Sequence, residues 1–174
     1  LGIQPGAASS GSSTVARLSE VGQRRCVPLA AQSDERVLSS FQVCLRKQLE
    51  FFEADQSDVD MVVKGRKTKV VLGQVGLRCI HCTNVPALLQ GKGAMYYTRK
   101  LSGVYEASLH MASTHLLQSC SHIPTAIQEE MESKRVRRDT GIGGRAYWVD
   151  CCQKIGLTET KDGLIFEAGI TVAR

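Results

Sequence analysis

Cys79-Ile80-His81-Cys82 and, about thirty residues further on, His115-Leu116-Leu117-Gln118-Ser119-Cys120 are the two stretches that decide the fold. The first places two thiols on a tight knuckle. The second adds an imidazole and a third thiol at the end of a helical stretch, which completes a tetrahedral set of four ligands. The spacing therefore predicts one structural zinc ion held by Cys79, Cys82, His115 and Cys120. The plainer reading makes the cysteines small buried hydrophobes and His115 a core histidine on the apolar face of its helix. Four ligand types converging by chance is the less economical of the two. His81 lies between the first two cysteines and is expected to point away from the ion, and His110, five residues before His115, falls on another helical face. His122 competes with Cys120 for the fourth position. Three cysteines and one histidine leave no open coordination position, so such a site stabilises a fold and does not activate water.

Upstream of the knuckle, Leu38, Phe41, Leu45, Leu49 and Phe52 recur at spacings of three or four, which predicts a core helix from Ser33 or Asp34 to about Ala54. Asp55 to Asp60 carries three acids and reads as a turn or the start of a short helix. Val70 to Leu72, then Val75 and Leu77 after Gly73, predict a short bent pair of strands feeding Cys79. Downstream, Pro86, Gly91 and Gly93 mark loop, Ala94 to Thr98 reads as a strand, and Leu101, Val104, Tyr105, Leu109, Ala112 and His115 define one face of a helix ending near Cys120. Pro124 suits the first position of a third helix reaching about Arg137, whose terminal Lys134, Arg135, Arg137 and Arg138 complement its negative end. Tyr147 to Ile155 predicts a short helix stopped by Gly156, and Asp162-Gly163 a turn joining Leu157–Thr160 to Leu164–Phe166 as a hairpin. The fold class expected is a small zinc-stabilised α+β domain with short antiparallel strands and about four helices.

Composition agrees with one such domain. The 174 residues are 43% hydrophobic and 22% charged, but only 5% aromatic, so the core is thin for its length and gains from a staple such as a metal. Seven cysteines, an odd number unevenly spaced, argue against a secreted disulfide scaffold and for a reducing compartment. No apolar run reaches the 18 residues that would suggest a membrane span, and no apolar signal-peptide stretch opens the chain. Residues 1–30 read as an extended polar arm, a linker or the remnant of an organelle-targeting leader, residues 31–168 as one zinc-binding domain, and residues 169–174 as a tail. The net charge of +5 is permissive of an acidic partner. Two basic clusters, Lys64, Arg66, Lys67 and Lys69, then Lys134, Arg135, Arg137 and Arg138, are candidates for phosphate contact, although charge runs are usually solvated faces.

Other chemistry is weaker. Cys151-Cys152 is a vicinal pair whose side chains diverge in a helix, so core packing is the default reading there. The Gly141-Ile142-Gly143-Gly144 loop lacks both the preceding strand and the following Lys-Ser or Lys-Thr of a phosphate cradle. No serine or cysteine nucleophile has a flanking motif with a positioned base, and no carboxylate pair stands out, so no enzyme is expected.

Over roughly residues 70 to 122, the order Cys-x-x-Cys, aromatic strand and a helix ending Thr114-His115-Leu116-Leu117 before a cysteine resembles a BED-type zinc finger, which implies a nuclear nucleic-acid-binding protein. The segments Gly73–Cys82, Leu101–Tyr105, Met111–His115, Cys120–Pro124, Tyr147–Asp150 and Asp162–Phe166 resemble an uncharacterised group of diatom and related stramenopile zinc-binding proteins. That resemblance spans about residues 35 to 167 and implies a single zinc-binding domain; the long polar N-terminal arm, the lack of a recognisable active site and the modest charge point to a non-catalytic accessory subunit of a larger protein assembly. In a photosynthetic alga a peripheral, stromal-side subunit of a photosystem–antenna complex answers that description, with the plastid stroma as compartment.

Structural zinc binding is worth on the order of 10 kcal/mol and is folding free energy. Cys79→Ala or His115→Ala is therefore expected to unfold most of the domain, as read by circular dichroism, and a stably folded, zinc-free Cys79→Ala protein would sink the zinc reading.

Overall fold

The computed structural model describes residues 24–61, 68–137 and 141–167. The arm and tail expected from sequence lie mostly outside them, as do Lys64, Arg66, Lys67 and Arg138. Among the described residues the chain runs β1 (Cys26–Pro28), α1 (Asp34–Val37), α2 (Ser40–Arg46), β2 (Leu49–Glu53), α3 (Gln56–Asp60), β3 (Val75–Cys79), β4 (Met95–Tyr96), α4 (Gly103–Met111), α5 (Thr125–Arg137), α6 (Arg145–Lys154), β5 (Leu157–Thr160) and β6 (Gly163–Phe166). Helices and an antiparallel sheet thus share one α+β fold.

The sheet has the order β1-β2-β3-β6-β5, with β4 also paired to β3. One edge of β3 is taken along its length by β2, from Glu53↔Val75 to Leu49↔Cys79. Its other edge is divided: Val75 pairs with Leu164 of β6, and Leu77 and Arg78 pair with β4. This makes β3 the central strand, and its last residue is Cys79. Strand alternation then sorts the side chains. Val75, Leu77 and Cys79 share a face with Phe51, Leu49 and Leu164, and α2, α4 and α6 contribute Leu45, Val104, Met111 and Trp148 to the same core. The opposite face centres on Phe52, which meets Tyr97 edge-on at 5.6 Å and has Arg78 above its ring at 4.8 Å.

Two expectations are corrected here. The helix predicted from Ser33 to Ala54 stops at Arg46, and Leu49–Glu53 is strand β2. Leu49 and Phe52 satisfy the helical spacing, but so does Phe51 the strand reading, and aromatic residues pack well in a pleated sheet. Hydrogen bonds to β1 and β3 on both edges decide for the strand, an effect of tertiary pairing that local period does not contain. Likewise Val70–Leu72 forms no strand: Gly73, at φ 78°, turns the chain sharply, and the Gln74 side chain accepts the Val71 amide. Within the stretch read as an arm, Cys26–Pro28 is an edge strand and Arg24 forms ion pairs with Asp55 and Asp58.

Beneath α2 lies a buried ion pair that the sequence left unmarked. Arg46 and Asp34 are 1% and 2% exposed, and the Arg46 Nε donates to Asp34 Oδ2 at 2.8 Å. Arg46 Nη2 donates to the Leu29 carbonyl at 2.7 Å, and its guanidinium stacks over Trp148 at 4.5 Å. The Tyr147 hydroxyl donates to Asp34 Oδ1 at 2.8 Å. Removing one partner strands the other charge in the core, at about 3–5 kcal/mol. Arg46→Ala is accordingly expected to destabilise by about that amount in urea unfolding, and a loss under about 1 kcal/mol would mean that water reaches Asp34.

Candidate metal centre

Three local structures bring the predicted ligands together. Cys79 ends β3, where its amide donates to the Ala94 carbonyl at 2.9 Å. The chain then makes one 3-10 turn, Ile80–Cys82, which carries Cys82 back beside it. On the far side, α4 does not continue as an α-helix but widens into a π-helical turn over Ala112–Leu116. Ser113 and Thr114 explain the change: their hydroxyls bond back to the carbonyls of Leu109 and His110, competing for the acceptors of a regular helix. Residues five apart on a regular α-helix point about 140° apart. Here the Cys120 amide instead donates to the His115 carbonyl at 2.8 Å, and the wide turn sets both side chains on one side.

The result is a cluster in which one ligand atom from each of Cys79, Cys82, His115 and Cys120 lies within 4.8 Å of the others, close enough to hold a metal ion. Cys79 Sγ is 4.0 Å and Cys82 Sγ 3.7 Å from Cys120 Sγ, and Cys82 Sγ is 3.4 Å from His115 Nε2. All four residues are buried. Burial raises the Cys79 thiol well above its ordinary range, with the neighbouring Cys120 and Cys82 adding to the effect, and pushes Cys82 up to about 11. Burial lowers His115, keeping it neutral and able to ligate. A cation entering the site must therefore displace thiol protons, so its affinity rises with pH.

His115 is also oriented from outside the cluster. Its Nδ1 faces the Lys92 carbonyl at 3.2 Å, which sets Nδ1 as the protonated nitrogen and turns the Nε2 lone pair toward the thiols. The loop that supplies this carbonyl lies so close to the π turn that a Cβ at Gly91 would stand 2.1 Å from the Ser119 carbonyl oxygen. Gly93, at φ 76°, has room for a Cβ neither conformationally nor beside Thr114. Sequence reading found these glycines only as loop punctuation; the spacing Gly-x-Gly opposite a ligand helix was the available signal.

The other histidines lie elsewhere. His81 Nε2 is 2.9 Å from Gln48 Oε1, His110 sits edge-on against Tyr96, and His122 is exposed, which leaves Cys120 as the fourth member. Cys152 is buried and its thiol is raised to about 12 by that burial. The Gly141–Gly144 loop packs on the α1–α2 junction, with the Gly143 amide on the Val37 carbonyl. Of the basic residues, Lys69 and Arg137 are exposed, whereas Lys134 and Arg135 pair with Glu130 and Glu132 of their own helix. No family model, curated protein or solved structure matches the chain.

Gly91→Ala is expected to push the Lys92 carbonyl off His115 and to weaken metal binding about 10- to 100-fold in a chelator competition. An unchanged affinity would show that the carbonyl does not orient the ligand.

Proposed function

We propose that this chain is a non-catalytic accessory subunit, stapled by one structural zinc ion, that binds a larger protein assembly. The observation that carries the reading is the donor set and its spacing. Tetrahedral zinc, at about 2.3 Å to sulfur and about 2.0–2.1 Å to nitrogen, holds sulfurs about 3.8 Å apart and sulfur and nitrogen about 3.6 Å apart. Separations of 3.7 and 4.0 Å between sulfurs and 3.4 Å to His115 fit those values, and all are far from the about 2.05 Å of a disulfide. Four buried protein ligands fill the coordination sphere, which is the arrangement of a structural site.

Several other polar groups, buried and exposed, serve the architecture. Asp34 neutralises Arg46, the Glu159 carboxylate accepts the Leu101 amide, and Ser108 bonds back to Val104. The pairing of Lys134 and Arg135 within α5 favours a protein partner over nucleic acid. The resemblance to stramenopile proteins directs the search for that partner to the plastid, and to the stromal side of a photosystem–antenna complex.

The test is purification from the native source through a C-terminal tag, with metal measured on the same sample. A stable multi-subunit complex carrying one zinc per chain is the expected result. Zinc with only nucleic acid attached would put a nuclear finger in its place, and a metal-free chain would overturn the staple.

A further inference from the structure

We infer that the loop leaving the metal knuckle is a membrane-adsorbing tip, whose Leu88 and Leu89 enter the headgroup region of an anionic bilayer. The inference goes beyond the subunit reading and rests on the metal-ordered loop. Leu88 is 98% and Leu89 72% exposed, side by side in the 3-10 turn Ala87–Leu89. A floppy loop would account for such exposure, but this one is tied down. Val85 N donates to the Cys82 carbonyl, Leu89 N to the Pro86 carbonyl, and the Gln90 side chain reaches back to the carbonyls of Cys82 and Val85 at 3.1 and 2.8 Å. Its return limb is pressed against the Ser119 carbonyl at Gly91. The two leucines are thus held in water by a scaffold whose order has already been established.

The shape of the tip selects its occupant. Neighbours in a 3-10 turn point about 120° apart, so one flat protein surface covers one leucine and leaves the other wet. Two side chains also fall far short of the about 800 Å² per partner that a stable dimer of this chain would need. A bilayer interface accepts an apolar projection from every side, which suits two diverging leucines. The charge around the tip agrees. Lys92, three residues past Leu89, is exposed, and no Asp or Glu occurs between Arg78 and Glu106, while Lys92, Arg99 and Lys100 do. A loop without acids of its own, with an exposed lysine beside its apolar tip, is complementary to anionic lipid. No helix among the described residues is long and apolar enough to cross a membrane, so the contact is one of adsorption, weak and reversible.

The full zinc-loaded chain is to be co-sedimented with vesicles of phosphatidylcholine alone and of phosphatidylcholine with phosphatidylglycerol, at low and high salt. The wild type should sediment with the anionic vesicles, and Leu88→Asp with Leu89→Asp should lower the bound fraction about tenfold with zinc content and circular dichroism unchanged. Lys92→Glu should weaken binding to anionic vesicles alone. Wild type that stays in solution with both vesicles overturns the inference. So does a double-aspartate variant that sediments as well as wild type, since basic residues elsewhere would then hold the membrane. If wild type ignores vesicles while the double variant drops out of the native complex, the tip is a protein anchor and the subunit reading survives without this one. If the native complex is never found but vesicles bind through the leucines, the reverse holds.

Discussion

Three sulfur atoms and one imidazole nitrogen from two distant stretches of chain must meet within a few ångström in a buried core, and much of this structure follows from that demand. Cys79 has to end a central strand, so β3 is flanked on both sides. His115 has to leave its helix at an angle no regular α-helix offers, so α4 widens into a π turn. Burial makes the Cys79 and Cys82 thiols reluctant to ionise and holds the imidazole neutral. The same burial that makes the cluster costly by itself makes a bound cation's field strong and its coordination closed.

A second polar anchor sits on the other side of α2, where Arg46 and Asp34 pair beneath Tyr147 and Trp148. Gln48, at the corner between α2 and β2, connects the two regions. Its side-chain oxygen accepts from His81 Nε2, its side-chain nitrogen donates to the Cys44 carbonyl, and its own carbonyl takes the Ile80 amide. The corner that turns helix into strand thereby also holds the knuckle. A thin aromatic core tolerates this buried polarity because the Asp34 carboxylate, two of the three Arg46 guanidinium nitrogens and the Gln48 side chain are tied by hydrogen bonds, while Arg46 Nη1 and Trp148 Nε1 are left without one.

Legibility varied with the range of the forces involved. Gly156, at φ 80°, stops α6 where its lack of a Cβ said it would, and the hairpin of β5 and β6 follows from a short turn between two apolar runs. The stretch from Leu49 to Phe52 misled because its apolar residues meet both periods, and the choice between them was made by strands more than twenty residues away in either direction. Arg46 carries no local mark of its burial. Nothing near it in sequence shows that Asp34, Leu29 and Trp148 close around it.

By itself the amino-acid sequence determined the class of fold, the helices after residue 100 and three members of the candidate metal cluster, Cys79, Cys82 and His115, since ligand chemistry restricts residue type and spacing and both are local properties. Only the tertiary structure decided that Cys120 rather than His122 joins the cluster, that Lys92 lends its carbonyl, that Gly91 and Gly93 are needed for the loop to come so close, and that Leu88 and Leu89 stand in water. Those are matters of approach between segments distant in sequence, where an ångström of backbone separates a ligand from a bystander and no periodicity records it.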